Sequence, residues 1–128
     1  MGSKFDMYKA YLTEEGYSPT AGDGILIFKK EGRAYVITVD ENDAPYFQLL
    51  FPGFWPIESD QERVKAFAAA NQATSATKVA KIYVTDDGKN VWGSIEMFFE
   101  SPEQFKGVFS RSMLALMAAV ANFTQKMK

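Results

Sequence analysis

Phe51-Pro52-Gly53-Phe54-Trp55-Pro56-Ile57-Glu58-Ser59-Asp60-Gln61-Glu62 divides the chain into two β-rich halves and launches a helix between them. Two prolines frame an aromatic pair. Ser59 is a strong N-cap, and Glu62 three residues later completes a capping box. Asp60 and Glu62 also suit the positive end of the helix dipole. The helix is predicted to run to about Ala76, with Val64, Phe67, Ala68 and Asn71 along one side and Ala66, Ala69, Ala70 and Ala73 along the other. Val64 and Phe67 mark the side expected to pack on a sheet. The alanine face then reads either as plain helix propensity or as a smooth surface for a second copy of the chain across a two-fold axis.

On the N-terminal side, Phe5, Tyr8 and Leu12 recur at helical spacing and predict a helix over 4–15, stopped by Gly16 in a left-handed cap. Residues 17–23 read as a loop. Residues 24–31 form a strand whose run Ile25 to Phe28 is apolar on both faces, and the turn at Glu31-Gly32-Arg33 returns the chain through Ala34 to Val39 as an antiparallel hairpin. After the polar turn Asp40-Glu41-Asn42-Asp43, Tyr46 to Phe51 is a third strand, with Pro45 at its start. On the C-terminal side, Lys78 to Thr85 and Asn90 to Glu100 are strands joined by an Asp-Gly turn. The second alternates cleanly, with Val91, Gly93, Ile95, Met97 and Phe99 on one face and Trp92, Ser94, Glu96, Phe98 and Glu100 on the other. Ser101-Pro102-Glu103-Gln104 starts a last helix. Its apolar stripe runs from Phe105 to Met127, and Met113, Met117 and Met127 read as core rather than as an adaptable binding surface. The element order is α-β-β-β-α-β-β-α, an α+β arrangement.

A length of 128 residues fits one domain, spanning 1–128. The 15% aromatic share implies a well-filled core and leaves room for an aromatic binding surface. A net charge of −2 gives no basic excess for nucleic acid or for an anionic membrane surface. Cysteine and histidine are both absent, which removes thiolate nucleophiles, zinc-thiolate sites, Ser-His arrangements and the HExxH motif. No apolar segment follows Lys4, so no signal peptide is expected. Nor is a stretch of about 20 apolar residues expected to span a bilayer. The simplest address is the cytoplasm, and no cofactor or metal is expected.

The carboxylate groups at 14–15, 40–43 and 86–87 sit at helix ends and turns, where solvated turn chemistry explains them. Residues 40–51 fail the calcium-loop pattern, since Phe51 stands where a bidentate Glu is needed. Gly22-Asp23-Gly24 precedes a strand, whereas a phosphate loop follows one and opens a helix. No catalytic residue is assigned. Two aromatic sites remain. Trp92 and Phe98 share a strand face with Glu96 and read either as a half-solvated surface or as anchors for a partner. Phe54 and Trp55 read either as a plug closing one end of the core or as a second binding pair.

Ile27 to Ile37, Phe54-Trp55-Pro56-Ile57, Lys78 to Val84 and the segment from Val91-Trp92 onward together resemble the YbjN-like domain. These are small bacterial proteins often labelled sensory transduction regulators. The resemblance spans about residues 4–125. It implies a fold similar to type III secretion chaperones, in which the five predicted strands form one antiparallel sheet with the helices against it, usually as a homodimer. It carries no active-site residues.

The expectation is a non-enzymatic, homodimeric interaction module with a chaperone-like or regulatory role, binding an unidentified protein through apolar surface. Phe54, Trp55, Trp92 and Phe98 are its candidate contacts, and Ala66, Ala69, Ala70 and Ala73 its candidate dimer face. A small-ligand or lipid binder with an aromatic-lined cavity between the sheet and the last helix is the alternative, and a carboxylate-dependent enzyme a third reading.

Overall fold

A computed structural model describes residues 2–128. The elements are α1 (Ser3–Glu14), β1 (Thr20–Ala21), β2 (Ile25–Lys30), β3 (Arg33–Thr38), β4 (Tyr46–Pro56), α2 (Asp60–Ala76), β5 (Ala80–Val84), β6 (Asn90–Phe98), a single 3₁₀ turn at Pro102–Gln104, and α3 (Phe105–Met127). The strands form one antiparallel sheet in the order β1-β2-β3-β4-β6-β5.

The sheet has six strands rather than the five expected from the sequence. The extra strand, β1, lies inside the predicted loop 17–23. Gly16 takes φ +96 and turns the chain. The Tyr17 ring then packs edge-on against Phe28 and Phe109, at 5.1 and 5.9 Å, which draws Thr20 and Ala21 alongside Ile27 and Leu26. Two residues are too few to show a period-2 pattern, so β1 left no signal in the sequence.

β4 is also longer than expected, because it absorbs the first half of the divider. A bulge between Phe51 and Trp55 interrupts its pairing with β6, and Gly53 sits within it at φ +57. Bulges tolerate both proline and left-handed glycine. The extra residues change the alternation. Phe51 and Phe54 stack at 5.2 Å, and Phe54 and Trp55 each meet the Phe123 ring edge-on at 5.6 Å.

The core lies between one face of the sheet and the helices. Register places Leu26, Ile37, Leu49, Ile95 and Ala80 in one row across that face. From α1, Tyr8 stacks on Phe105 at 4.1 Å and meets Phe47 at 6.2 Å. From α3, Phe109 reaches Phe28 at 5.7 Å. Gly93 lies under α3, and a Cβ there would meet Leu116 Cδ1 at 2.9 Å, so any larger residue would have to push that side chain aside. The segment Pro102–Met127 is long and apolar enough to cross a membrane by length and composition, contrary to expectation. Its stripe, including Phe105, Phe109, Leu116 and Phe123, is buried in this core. Ser101 makes no side-chain cap there; Gln104 Oε1 instead accepts the Glu100 N–H at 2.6 Å.

α1 is latched by the turn after β3. Glu41 accepts the backbone N–H groups of Lys4 and Phe5 at 3.3 and 2.9 Å, capping the positive end of the helix. The buried Lys4 ammonium donates in turn to the carbonyls of Asp40, Asp43 and Tyr46 at 3.3, 3.0 and 2.7 Å.

α2 is rotated relative to the sequence reading. Ala66, Ala69, Ala70 and Ala73 are buried, so the expected dimer face is an internal packing face, while Val64 and Phe67 are 71% and 55% exposed. The physical reason is spacing. α2 packs beside α3 and along the edge strand β5, and small side chains at i, i+3, i+4 and i+7 let it come close. Close approach brings Thr74 to the sheet edge, where its hydroxyl accepts from Ile82 N–H at 2.9 Å and donates to Ile82 C=O at 3.2 Å. One side chain thus stands in for a missing strand neighbour. Thr74→Val should destabilise the fold by about 1–3 kcal/mol through the unpaired backbone groups, and Thr74→Ser should restore most of the loss. Urea denaturation checks this, and a Val variant as stable as wild type would show that the bonds do not hold α2 to the edge.

Candidate interaction surface

Among the described residues no element covers the face of the sheet opposite the helices. Cross-strand register assembles it from Ile27, Val36, Leu50, Ser94 and Lys81 in one row and Ile25, Thr38, Gln48 and Glu96 in the next. Trp92 pairs with Tyr83 at one end, and Tyr46 pairs with Phe98 at the other, their rings 6.0 Å apart. Phe98 is 77% exposed, the most exposed of the large apolar side chains. Ile25, Ile27, Val36, Tyr83 and Trp92 are half-buried.

A polar network is set into this face. Glu96 accepts from the Tyr46 hydroxyl at 2.5 Å, from Ser94 Oγ at 3.0 Å and from the Lys81 ammonium at 2.5 Å. Thr38 Oγ1 donates to Gln48 Oε1 at 2.8 Å beside it. Burial works to raise the Glu96 carboxyl, but the hydrogen bonds from Lys81, Tyr46 and Ser94 outweigh it and hold the group below its ordinary value. Burial, and then the bond to Glu96, push the Tyr46 phenol upward. Burial and the same carboxylate also raise Tyr83. Both oxygens of Glu96 are engaged, so the carboxylate orders its neighbours. The result is a half-apolar platform with aromatic rings at both ends and a fixed charge pair near its middle.

Of the four candidate contacts, Trp92 and Phe98 lie on this platform, separated by about 20 Å along the strand. Phe54 and Trp55 do not join them. Both pack on Phe123 of α3, and Trp55 Nε1 donates to Glu62 Oε2 at 3.3 Å. The other Glu62 oxygen accepts Glu58 N–H at 2.7 Å, while Ser59 Oγ caps Glu62 N–H at 3.0 Å. The pair therefore closes the core and ties it to the start of α2. Tyr46, Tyr83 and Lys81 belong to the surface and were not singled out from the sequence. Their signal was the strand register, which single-strand patterns do not contain. Among the described residues no three His, Cys, Asp or Glu side chains cluster to hold a metal ion.

The Glu96 network makes a signed pH prediction. A carboxyl whose folded pKa is depressed stabilises the fold while ionised, and that contribution is lost as pH falls below the ordinary value of 4.5 and through the folded value. Glu96→Gln should therefore lower the urea midpoint at pH 7, and the gap to wild type should narrow at acid pH. An equal gap at both would show that the ionised network does not stabilise the fold.

No family model matches the chain, and no curated protein sequence matches it. Solved structures do resemble it. YbjN from E. coli, described as a candidate transcription regulator, superposes with a TM-score of 0.64 at 14% identity, over 94% of this chain and 93% of that one. An uncharacterised protein from Methanothermobacter thermautotrophicus superposes with a TM-score of 0.61 at 12% identity, over 98% and 99%. At these identities the likeness is one of fold: the chain is an α+β domain with the architecture seen in YbjN.

Proposed function

We propose that this chain is a non-enzymatic protein-interaction module with a chaperone-like or regulatory role, acting as a homodimer and holding a protein segment on the helix-free face of its sheet. The observation that carries this reading is the platform itself, a contiguous sheet face with Trp92, Tyr83 and Phe98 exposed or half-exposed on it and no element packed over them. Exposed aromatic residues are enriched among the residues that anchor an interface. The net charge of −2 favours a protein partner over a nucleic acid. The likeness to YbjN is consistent with a regulatory role, and the sheet-and-helix architecture with the more specific reading of a secretion-chaperone-like fold. With the alanine face of α2 internal, the outward side bearing Val64 and Phe67 becomes the place for a second copy.

Affinity purification from the native cell, comparing wild type with variants, tests the reading. Trp92→Ala and Phe98→Ala should each lose captured partner while folding normally. Trp55→Ala should instead cost about 2 kcal/mol or more of stability, since it opens the core beside Phe123. Retention of every partner by both surface variants would refute the site. Sedimentation at micromolar concentration should give a dimer and, for Phe67→Glu, a monomer; a wild-type mass near 14.3 kDa would refute the dimer.

A further inference from the structure

On the other side of the molecule from the platform, a groove of about 310 Å³ opens between α3 and the strand ends where β5 begins and β6 finishes. Val79, Met97, Val108 and Ala115 form its walls. The buried Ser112 contributes the single neutral polar side chain, and Lys78 and Arg111 are the only charged residues lining it. No acidic residue lines it. The ion pairs among the described residues are Arg63–Asp60, Lys81–Glu96 and Lys106–Glu103, so neither cation is neutralised within the chain. Lys78 and Arg111 also line a second, more open groove of about 360 Å³ beside Leu114. The two cations therefore stand where the apolar groove meets open surface.

A second feature marks the same place. Val79 adopts φ +55, in the left-handed region that a β-branched side chain avoids, and it is 61% exposed. It is held there because the chain leaves α2 at Ala76 and must enter β5 at Ala80, and Ala80 N–H closes a tight turn onto Lys78 C=O at 2.7 Å. Strain of this kind gathers at ligand clamps. Here it keeps an isopropyl group at the mouth of the groove.

We infer that this groove binds a medium-chain fatty carboxylate, with the tail along Val79, Met97, Val108 and Ala115 and the carboxylate between Lys78 and Arg111. The lining selects this class. An apolar wall with one hydroxyl offers almost nothing to the amide groups of a peptide, whereas an alkyl chain needs no hydrogen bonds. A bare hydrocarbon would leave the two cations unused, and a carboxylate meets both through charge-assisted hydrogen bonds. The inference is independent of the protein-binding reading of the sheet face, because no residue is shared between the two sites.

The test is a titration of the whole chain with submillimolar decanoate, followed by NMR of the methyl groups, with 1-decanol as the uncharged probe. Saturable shifts are expected at Val79, Met97, Val108 and Ala115. The double variant Lys78→Ala/Arg111→Ala changes only exposed side chains and should weaken decanoate about tenfold while leaving decanol unchanged. Val79→Gly relieves the backbone strain, so it should keep or raise thermal stability while weakening both probes. Shifts that do not saturate, or that fall on the Trp92 platform, would overturn the inference. So would equal affinity of wild type for decanoate and decanol, or unchanged decanoate binding by the double variant.

Discussion

The packing of α3 and α1 aromatics against one face of the sheet is the interaction on which the other features depend. Phe105 and Phe109 are wedged among Tyr8, Phe28 and Phe47, and each of these rings is fully or almost fully buried. A helix of 23 residues is about 35 Å long, and six strands span about 24 Å from first to last, so one helix suffices to cover the width of the sheet. Burying both α1 and α3 on that face concentrates the apolar area where it contributes most to folding. It also leaves the opposite face with no covering element.

Polar side chains break up the apolar character of that face, and its edges are protected. Glu96, Lys81, Gln48 and Thr38 interrupt the apolar residues, and their mutual bonds fix them in place. The β5 edge is occupied by Thr74 of α2, and β1 at the other edge is only two residues long. A sheet with one bare face and two blunted edges favours face-on contact over strand addition. In the proposed reading, a partner segment would meet the aromatic platform rather than an exposed backbone ladder.

The Ser59 cap on the Glu62 N–H, the left-handed stop at Gly16, the alternation of β6 and the stripe of α3 were all legible in the sequence, because each depends on residues within a few positions of one another; the Glu62 carboxylate reaches back to the Glu58 N–H rather than to Ser59 as a full capping box would. What escaped depends on distant partners. Lys4 is not among the apolar residues at helical spacing that predict the first helix, yet its ammonium is buried in a ring of carbonyls from residues 40–46. The short strand β1 exists because Tyr17 packs on Phe28 and Phe109. The Tyr46–Glu96 bond spans fifty positions and follows only from the pairing of β4 with β6.

The sequence by itself determined the helices, the main strands, their order and the inward-facing set on α3 and β6, since local period and turn chemistry decide those. Only the tertiary structure decided which side of α2 faces in. Large apolar Val64 and Phe67 read as core by hydrophobicity, but the side of α2 that packs close on α3 and β5 is the alanine side. The tertiary structure also decided the fate of Phe51 to Glu62. Its first half is not a spacer but the end of β4, where the bulge at Gly53 turns Phe54 and Trp55 onto Phe123, so that of the four candidate contacts Trp92 and Phe98 lie on the open face, beside Tyr83 and Tyr46.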